Sequence, residues 1–300
     1  MQLIVENLFK SYGDIKAVRN VSFIIESGKT IGLLGRNGAG KSTLIKCIIG
    51  ILSPDSGKVL FDGKQLSDSN AKIGYLPEER GLYLNATVFD QLSYFAELNG
   101  VNKNVTKKEI ERLLNSFEII EYKHRKIKTL SKGNKQKVQL IAAIIHNPDI
   151  LILDEPFSGL DPINGAIFKR ILNELRLQGK AIILSSHRME DIEELCDSVL
   201  MINEGVPVIN DNIDTVLKEN SNHNKVYLRI QGDNPENIFE TLNFIYSLEN
   251  DVYVIEYDTA TQICLLQKKL LENNIYITEF RYHKASMTEI FFKGADKNEE

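Results

Sequence analysis

The sequence predicts an α/β fold, and three observations carry that expectation. An apolar run, Thr30-Ile31-Gly32-Leu33-Leu34, meets a glycine-rich turn and then Leu44-Ile45-Lys46-Cys47-Ile48-Ile49, whose apolar residues recur at helical spacing. From residue 150 onward, short apolar runs alternate with helical patterns, and such alternation builds a parallel sheet covered by helices. The chain is also large enough to bury a core, with 300 residues of which 43% are apolar and 26% charged.

In order, residues 3–9 alternate like a strand, Lys10-Ser11-Tyr12-Gly13-Asp14 is a turn cluster, and 18–25 is strand-like again until Glu26-Ser27-Gly28-Lys29. After the first helix, Ser53-Pro54-Asp55-Ser56-Gly57 is a dense turn, followed by a short strand over 58–61 that Asp62-Gly63 closes. From about 87 to 147 the reading is helical. Val88, Leu92, Phe95 and Leu98 share one face, and so do Ile110, Leu113, Leu114 and Phe117. That stretch reads as an insert in the α/β frame. The frame resumes with strand 150–153, helix 164–177, strand 181–184, helix 189–195 and strand 198–202.

At Leu217-Lys218-Glu219-Asn220-Ser221-Asn222-His223-Asn224 the composition turns polar, which marks a boundary. Two domains are therefore expected, over 1–218 (helical insert about 85–147) and 219–300. Beyond the boundary the pattern reads strand 226–230, helix 235–242, strands 244–248 and 252–257, helix 261–271, strand 275–282 and a short helix over 287–292. That succession predicts a small α+β domain of split-βαβ, ferredoxin-like type, with no catalytic or metal spacing in it and with a frayed tail over 296–300.

Charge and hydropathy exclude several functions. A net charge of −5 and a pI near 5.7 leave no electrostatic footprint for nucleic acid. No window approaches the ~20 apolar residues of a membrane span. The first residues lack the basic start and long apolar stretch of a signal peptide, and Cys47, Cys196 and Cys264 form no metal-spaced pair. These features predict a cytoplasmic protein.

The chemistry concentrates in Gly35-Arg36-Asn37-Gly38-Ala39-Gly40-Lys41-Ser42-Thr43. Strand, glycine loop and helix in that order make a phosphate-cradling P-loop: the backbone curls so that successive N–H groups and the helix N-terminus face phosphate oxygens. Lys41 would reach the β- and γ-phosphates, and the Ser42 hydroxyl would ligate Mg²⁺. Ile150-Leu151-Ile152-Leu153-Asp154-Glu155-Pro156 is an apolar strand ending in two carboxylates. Downstream of a P-loop, Asp154 would hold Mg²⁺ and Glu155 would take a proton from attacking water. Leu130-Ser131-Lys132-Gly133-Asn134-Lys135-Gln136-Lys137 opens a further helix. Its N-cap, Ser131, either merely caps it or adds a second anion site at the helix N-terminus.

Residues 1 to about 215 resemble the ATP-binding subunit of an ATP-binding cassette (ABC) transporter. The P-loop, the signature-like segment Leu130 to Gln136, the acidic strand, Ser158-Gly159-Leu160-Asp161 (similar to the D-loop) and Ser185-Ser186-His187 (similar to the switch-histidine segment) occur in that family's order. The resemblance implies a P-loop NTPase fold of ABC type with an antiparallel β subdomain and a helical subdomain. It implies ATP as ligand and Mg²⁺ as cofactor. Tyr12 would stack on adenine, His187 would contact the γ-phosphate and help hold the water, and Ser131, Gly133 and Asp161 would serve the shared nucleotide. Two departures stand out. Lys132 and Asn134 replace the third and fifth residues of the family's Leu-Ser-Gly-Gly-Gln; Lys132 is expected to face solvent. In Ile73-Gly74-Tyr75-Leu76-Pro77-Glu78-Glu79-Arg80-Gly81-Leu82-Tyr83, Glu78 stands where most relatives carry a glutamine that touches Mg²⁺. Glu78 keeps an oxygen ligand and loses the N–H₂ donor.

The Pro-Glu-Glu-Arg-Gly-Leu-Tyr wording, the Ser-Lys-Gly-Asn signature and the ending Thr288-Glu289-Ile290-Phe291-Phe292 resemble the ABC-2-type export ATPases, including those linked to sodium extrusion. The implied protein is an ATPase that pairs head to tail with a second copy or a similar ATPase. Each ATP would lie between the P-loop of one copy and Ser131 of the other. It would work from the cytoplasm, on the inner face of the membrane, through a separate integral membrane permease that meets it near residues 78–83 and the helical insert. The competing class, a soluble ABC ATPase acting on a non-membrane partner, usually shows two cassettes, a long coiled-coil insertion or zinc-binding cysteines, and this chain shows none of them.

Overall fold

The computed structural model describes residues 1–78, 81–220, 225–283 and 285–296. Residues 297–300 of the tail expected over 296–300, part of the polar boundary at 221–224, and Glu79 and Arg80 lie outside the described residues, while Asp296 ends a helix. The chain divides into two compact units, Met1–Ile213 with Phe291–Glu300, and Asp214–Ile290.

In the first unit the chain runs β1 (Gln2–Tyr12), β2 (Ile15–Glu26), β3 (Thr30–Leu34), α1 (Lys41–Ile48), β4 (Ser56–Phe61), β5 (Lys64–Gln65) and β6 (Ile73–Leu76). The insert follows as α2 (Val88–Leu98), α3 (Lys103–Ser116) and α4 (Lys132–Ile144). Then come β7 (Ile150–Asp154), α5 (Pro162–Leu177), β8 (Ala181–Ser185), α6 (Met189–Leu195), β9 (Ser198–Asn203) and β10 (Val206–Asn212). Two sheets result. One is antiparallel in the order β2-β1-β4-β5. The other, ordered β10-β9-β3-β8-β7-β6, is parallel except where β10 runs against β9.

Every residue of β3, β7 and β8 is buried, which is why these segments read as continuous apolar runs rather than alternating ones. Leu44, Ile45 and Ile48 of α1 join one core with Leu3 and Phe23 of the antiparallel sheet and with Ile31, Ile152, Ile183 and Leu200 of the parallel one. The helix that follows the glycine loop is thereby fixed on two sides. Because β3, β8 and β7 are parallel neighbours, Leu33 pairs with Ser185 and Ser185 with Asp154. Their carboxyl ends therefore open on one edge, where open α/β sheets place ligands.

The second unit begins in α7 (Ile213–Asn220) and continues as β11 (Lys225–Gln231), α8 (Glu236–Thr241), β12 (Ile245–Glu249), β13 (Val252–Glu256), α9 (Ala260–Glu272) and β14 (Tyr276–Tyr282), with α10 (Met287–Asp296) ending the described chain. Its antiparallel sheet is ordered β12-β13-β11-β14, the split-βαβ succession. Val226, Leu228 and Ile255 pack on Phe239 of α8 and on Ile263, Leu266 and Leu270 of α9. Thr259 and Gln262 start α9 with a reciprocal capping box.

Besides the two-residue β5, three elements depart from the sequence expectation. β6 has no strand signal in the sequence, being four residues long and containing Gly74. That glycine is required: a Cβ there would lie 2.2 Å from the Ala143 carbonyl oxygen of α4. β10 escaped because Pro207 interrupts its pattern, and a proline is tolerated there because β10 is an edge strand. α7 occupies what read as the start of a polar linker. The insert is also not continuous helix, since irregular chain with short 3-10 turns joins α3 to α4.

Candidate functional site

The glycine loop is braced before any ligand is considered. Gly40 is the N-cap of α1 with φ of 105°, and a Cβ on it would lie 2.0 Å from the Ala17 carbonyl oxygen of β2. Ala39 donates its N–H to the Arg36 carbonyl at 3.0 Å, and its own carbonyl accepts from Gly205 N at 2.9 Å. Only glycine combines this left-handed backbone with so close an approach. Gly40→Ala should therefore displace the loop, because a clash with main chain is not relieved by a rotamer change. We expect an ATP affinity loss of about tenfold or more, from a backbone cost on the order of 1–3 kcal/mol, read in a fluorescent-ATP titration. Unchanged affinity would show that the loop does not hold the nucleotide.

Behind the loop, Lys41 is buried and donates to the carbonyls of Gly35 at 2.6 Å and Arg36 at 3.2 Å. Burial pushes its ammonium below the usual lysine range, and the carboxylates of Glu155, Asp154 and Glu78 oppose that shift. The α1 N-terminus carries no acidic residue in its first turn, so nothing there competes with an incoming anion.

Ser185 ties the two acids together. Its hydroxyl donates to Asp154 Oδ1 at 2.5 Å and accepts from the Glu155 N–H at 3.0 Å. Glu155 leaves β7 in the left-handed region, φ 50°, which turns its side chain away from the strand's alternation. Glu155 Oε2 accepts from the His187 N–H at 3.3 Å, and Oε1 lies 3.1 Å from His187 Nε2 without the alignment of a hydrogen bond. Burial raises the Glu155 carboxyl above the ordinary value, opposed by His187 and Lys41 and reinforced by Asp154. A carboxylate held above its usual range is a stronger base than an ordinary one, and the imidazole of His187 lies beside it.

Asn37, Gly38, Gly40, Lys41, Ser42, Thr43, Glu78, Asp154, Glu155 and His187 line one cleft of about 360 Å³ together with Ala17. Gly35, Arg36 and Ala39 shape the loop behind it. Tyr12, Ser131, Gly133 and Asp161 do not line this cleft. Tyr12 ends β1, half exposed. Ser131 caps α4 by accepting from Asn134 N at 3.2 Å, and Asp161 caps α5 by accepting from Asn164 N at 2.8 Å. Gly133 faces Asn164, whose Nδ2 would lie 2.8 Å from an added Cβ. Lys132, expected to face solvent, is exposed yet lies over Gly159, where an added Cβ would sit 2.0 Å from its Nζ. Ala17, Gly205 and Ser185 were given no role from sequence. Each acts through a partner distant in the chain.

The cleft also passes a charge test for a cation. Glu78, Asp154 and Glu155 outnumber Lys41 in it, so a polyanionic phosphate would be repelled without added positive charge. Carboxylate and hydroxyl oxygens are the hard donors Mg²⁺ takes. Among the described residues no group of three His, Cys, Asp or Glu could hold a metal alone.

Comparison with known proteins agrees. The family described as ABC transporter matches residues 18–158. An ABC transporter ATP-binding protein of Methanocaldococcus jannaschii, MJ1023, is 50% identical over 204 residues, covering 68% of this chain and 75% of that protein. The Bacillus subtilis ABC transporter ATP-binding protein YhaQ is 36% identical over 299 residues and 97% of each chain, so its match extends through the second unit. A solved ATP-binding subunit of an ABC transporter superposes with a TM-score of 0.68 at 31% identity, covering 73% of this chain and 93% of that one. With the glycine loop, Asp154, Glu155 and His187 gathered in one cleft, and with these relatives, the chain belongs to the ABC transporter family as an ATP-binding subunit with ATPase activity.

Proposed function

We propose that this ATPase energises export through a separate membrane permease by closing and reopening an ATP-bound dimer. The observation that carries the catalytic half is the convergence of Lys41, Asp154, Glu155 and His187 on one cleft. In this reading the loop amides and Lys41 hold the β- and γ-phosphates. Ser42, Asp154 and Glu78 would hold Mg²⁺, which neutralises phosphate charge when bound. Glu155 takes the proton of the attacking water, and His187 keeps that carboxylate and the water in place. Ser185 fixes the spacing of the two acids. Tyr12 supports adenine.

Ser131, Gly133 and Asp161 point to the dimer. They sit at the N-termini of α4 and α5 outside the cleft of their own chain, where a second copy, or a similar ATPase, can bring its own P-loop and share one ATP. Closure is then favoured by ATP, and hydrolysis reopens it.

The permease half rests on a groove of about 290 Å³ lined by Tyr75, Pro77 and Leu82 ahead of the insert and by Phe95, Gln139 and other residues within it. Pro77 lines this groove, and Glu78, the next residue, lines the nucleotide cleft. One short segment therefore touches both, a direct mechanical link. No described helix is long and apolar enough to cross a membrane; in this reading the partner supplies the membrane path. The subunit would sit on the inner face of the cell membrane, with the second unit, Asp214–Ile290, as a scaffolding or regulatory appendage. The test is co-expression with an integral membrane protein of about six spans from a neighbouring reading frame. Leu82→Glu, melting like the parent, should cut retention in the membrane fraction at least tenfold. Retention equal to the parent's would contradict the groove assignment.

A further inference from the structure

The loops that present Glu155 and His187 are backed by a buried charge outside the cleft. Asp191, in the first turn of α6, has a side-chain exposure of 0%. Lys169 Nζ of α5 lies 2.9 Å from its Oδ1, and Arg188 Nε lies 3.4 Å from its Oδ2. Lys169 Nζ also lies 2.5 Å from Glu194 Oε2 and 5.9 Å from the centre of the Phe157 ring. Phe157 is itself buried, edge-on to Phe168 at 6.2 Å.

One carboxylate thus connects two places that matter. Arg188 directly follows His187. Phe157 follows Glu155 by two positions, with only Pro156 between them. Asp191, Lys169 and Arg188 do not line the nucleotide cleft, so their charges do not act on phosphate by contact. A buried ion pair is a poor device for stability alone, since apolar packing of similar volume does as well or better. What a directional charge pair adds is a fixed geometry between the elements it joins. Here the pair joins α6, which follows the switch segment, to α5, and Lys169 extends the link to the turn after β7 by lying over the Phe157 ring.

We propose that Asp191 is a positioning residue. Through Arg188 and Lys169 it fixes the spacing of His187 and Glu155, now 3.1 Å between Nε2 and Oε1. The inference rests on the catalytic reading of those two residues. Without the Asp191 charge, Arg188, whose side chain is 54% exposed, turns to water, and the His187 segment loses its inner anchor. Lys41 and the glycine loop are untouched.

The experiment compares Asp191→Asn, Lys169→Met, the double variant and His187→Ala for steady-state ATP hydrolysis, fluorescent-ATP binding and thermal melting. Asp191→Asn should lower kcat at least tenfold with the Kd for ATP within twofold of the parent. Lys169→Met should do likewise, and the double variant should fall no further than the worse single one, the non-additivity of groups acting as one unit. Should Asp191→Asn not fold, Lys169→Met carries the same comparison alone. A folded variant with parental kcat, or one in which ATP affinity falls while kcat holds, overturns the positioning role. If His187→Ala abolishes turnover and the Asp191 and Lys169 variants do not, that role alone fails. If His187→Ala retains full turnover, the catalytic reading fails and takes this inference with it.

Discussion

Lys41→Ala is expected to lose ATP binding by about 100-fold or more and to show no measurable turnover. The magnitude follows from the environment of this ammonium. It is buried, sits at the base of the loop, and is the only lysine among the described residues that line the cleft. Removing a charge-assisted contact of that kind costs ~3 kcal/mol, and 1.4 kcal/mol is a factor of ten. The loss should be larger than a simple deletion implies, because Glu78, Asp154 and Glu155 would then face a polyanion with less positive charge nearby. A fluorescent-ATP titration and a phosphate-release assay check it. Parental affinity in the folded variant would remove the glycine loop from the site.

Glu155→Gln should separate binding from chemistry. Glutamine keeps the shape and can still accept from the His187 N–H, but it cannot take a proton, so turnover should fall by roughly 10²- to 10⁴-fold while ATP still binds. The parent should show the corresponding pH dependence. Burial raises the Glu155 carboxyl above the ordinary glutamate value of 4.5, and a base works only when deprotonated. Its kcat/KM should therefore fall with decreasing pH through an acid limb centred above 4.5, a limb that the residual activity of Glu155→Gln lacks. Turnover within twofold of the parent would assign the base elsewhere.

The α/β class was legible because its signals are local: β3, β7 and β8 are buried along their whole length and read as unbroken apolar runs, and the loop glycines sit one step after β3. The second unit was legible for a related reason, since Thr259 with Gln262 and the alternation of β11 are short-range patterns. What escaped depends on distant partners. Ser185 meets Asp154 across 31 positions, Gly40 needs the Ala17 carbonyl, and Gly74 needs Ala143. Nothing in the pattern of the helix over 189–195 singles out Asp191; only the packing of α6 against Lys169 shows it as buried. Lys132 could not be placed by its charge. A glycine 27 positions on, Gly159, gives it a surface to lie over.

The most direct test of the shared-nucleotide account is the mass of Glu155→Gln in solution, by light scattering, with and without Mg²⁺ and ATP. A slow hydrolyser should accumulate the closed form, so the mass should rise with ATP to twice that of the 34.0 kDa chain. Adding Ser131→Arg, which fills the N-terminus of α4 on the surface that would meet the other copy's phosphates, should return it to a single chain. Glu155→Gln that binds ATP fully and keeps the mass of one chain at every protein concentration would contradict the account.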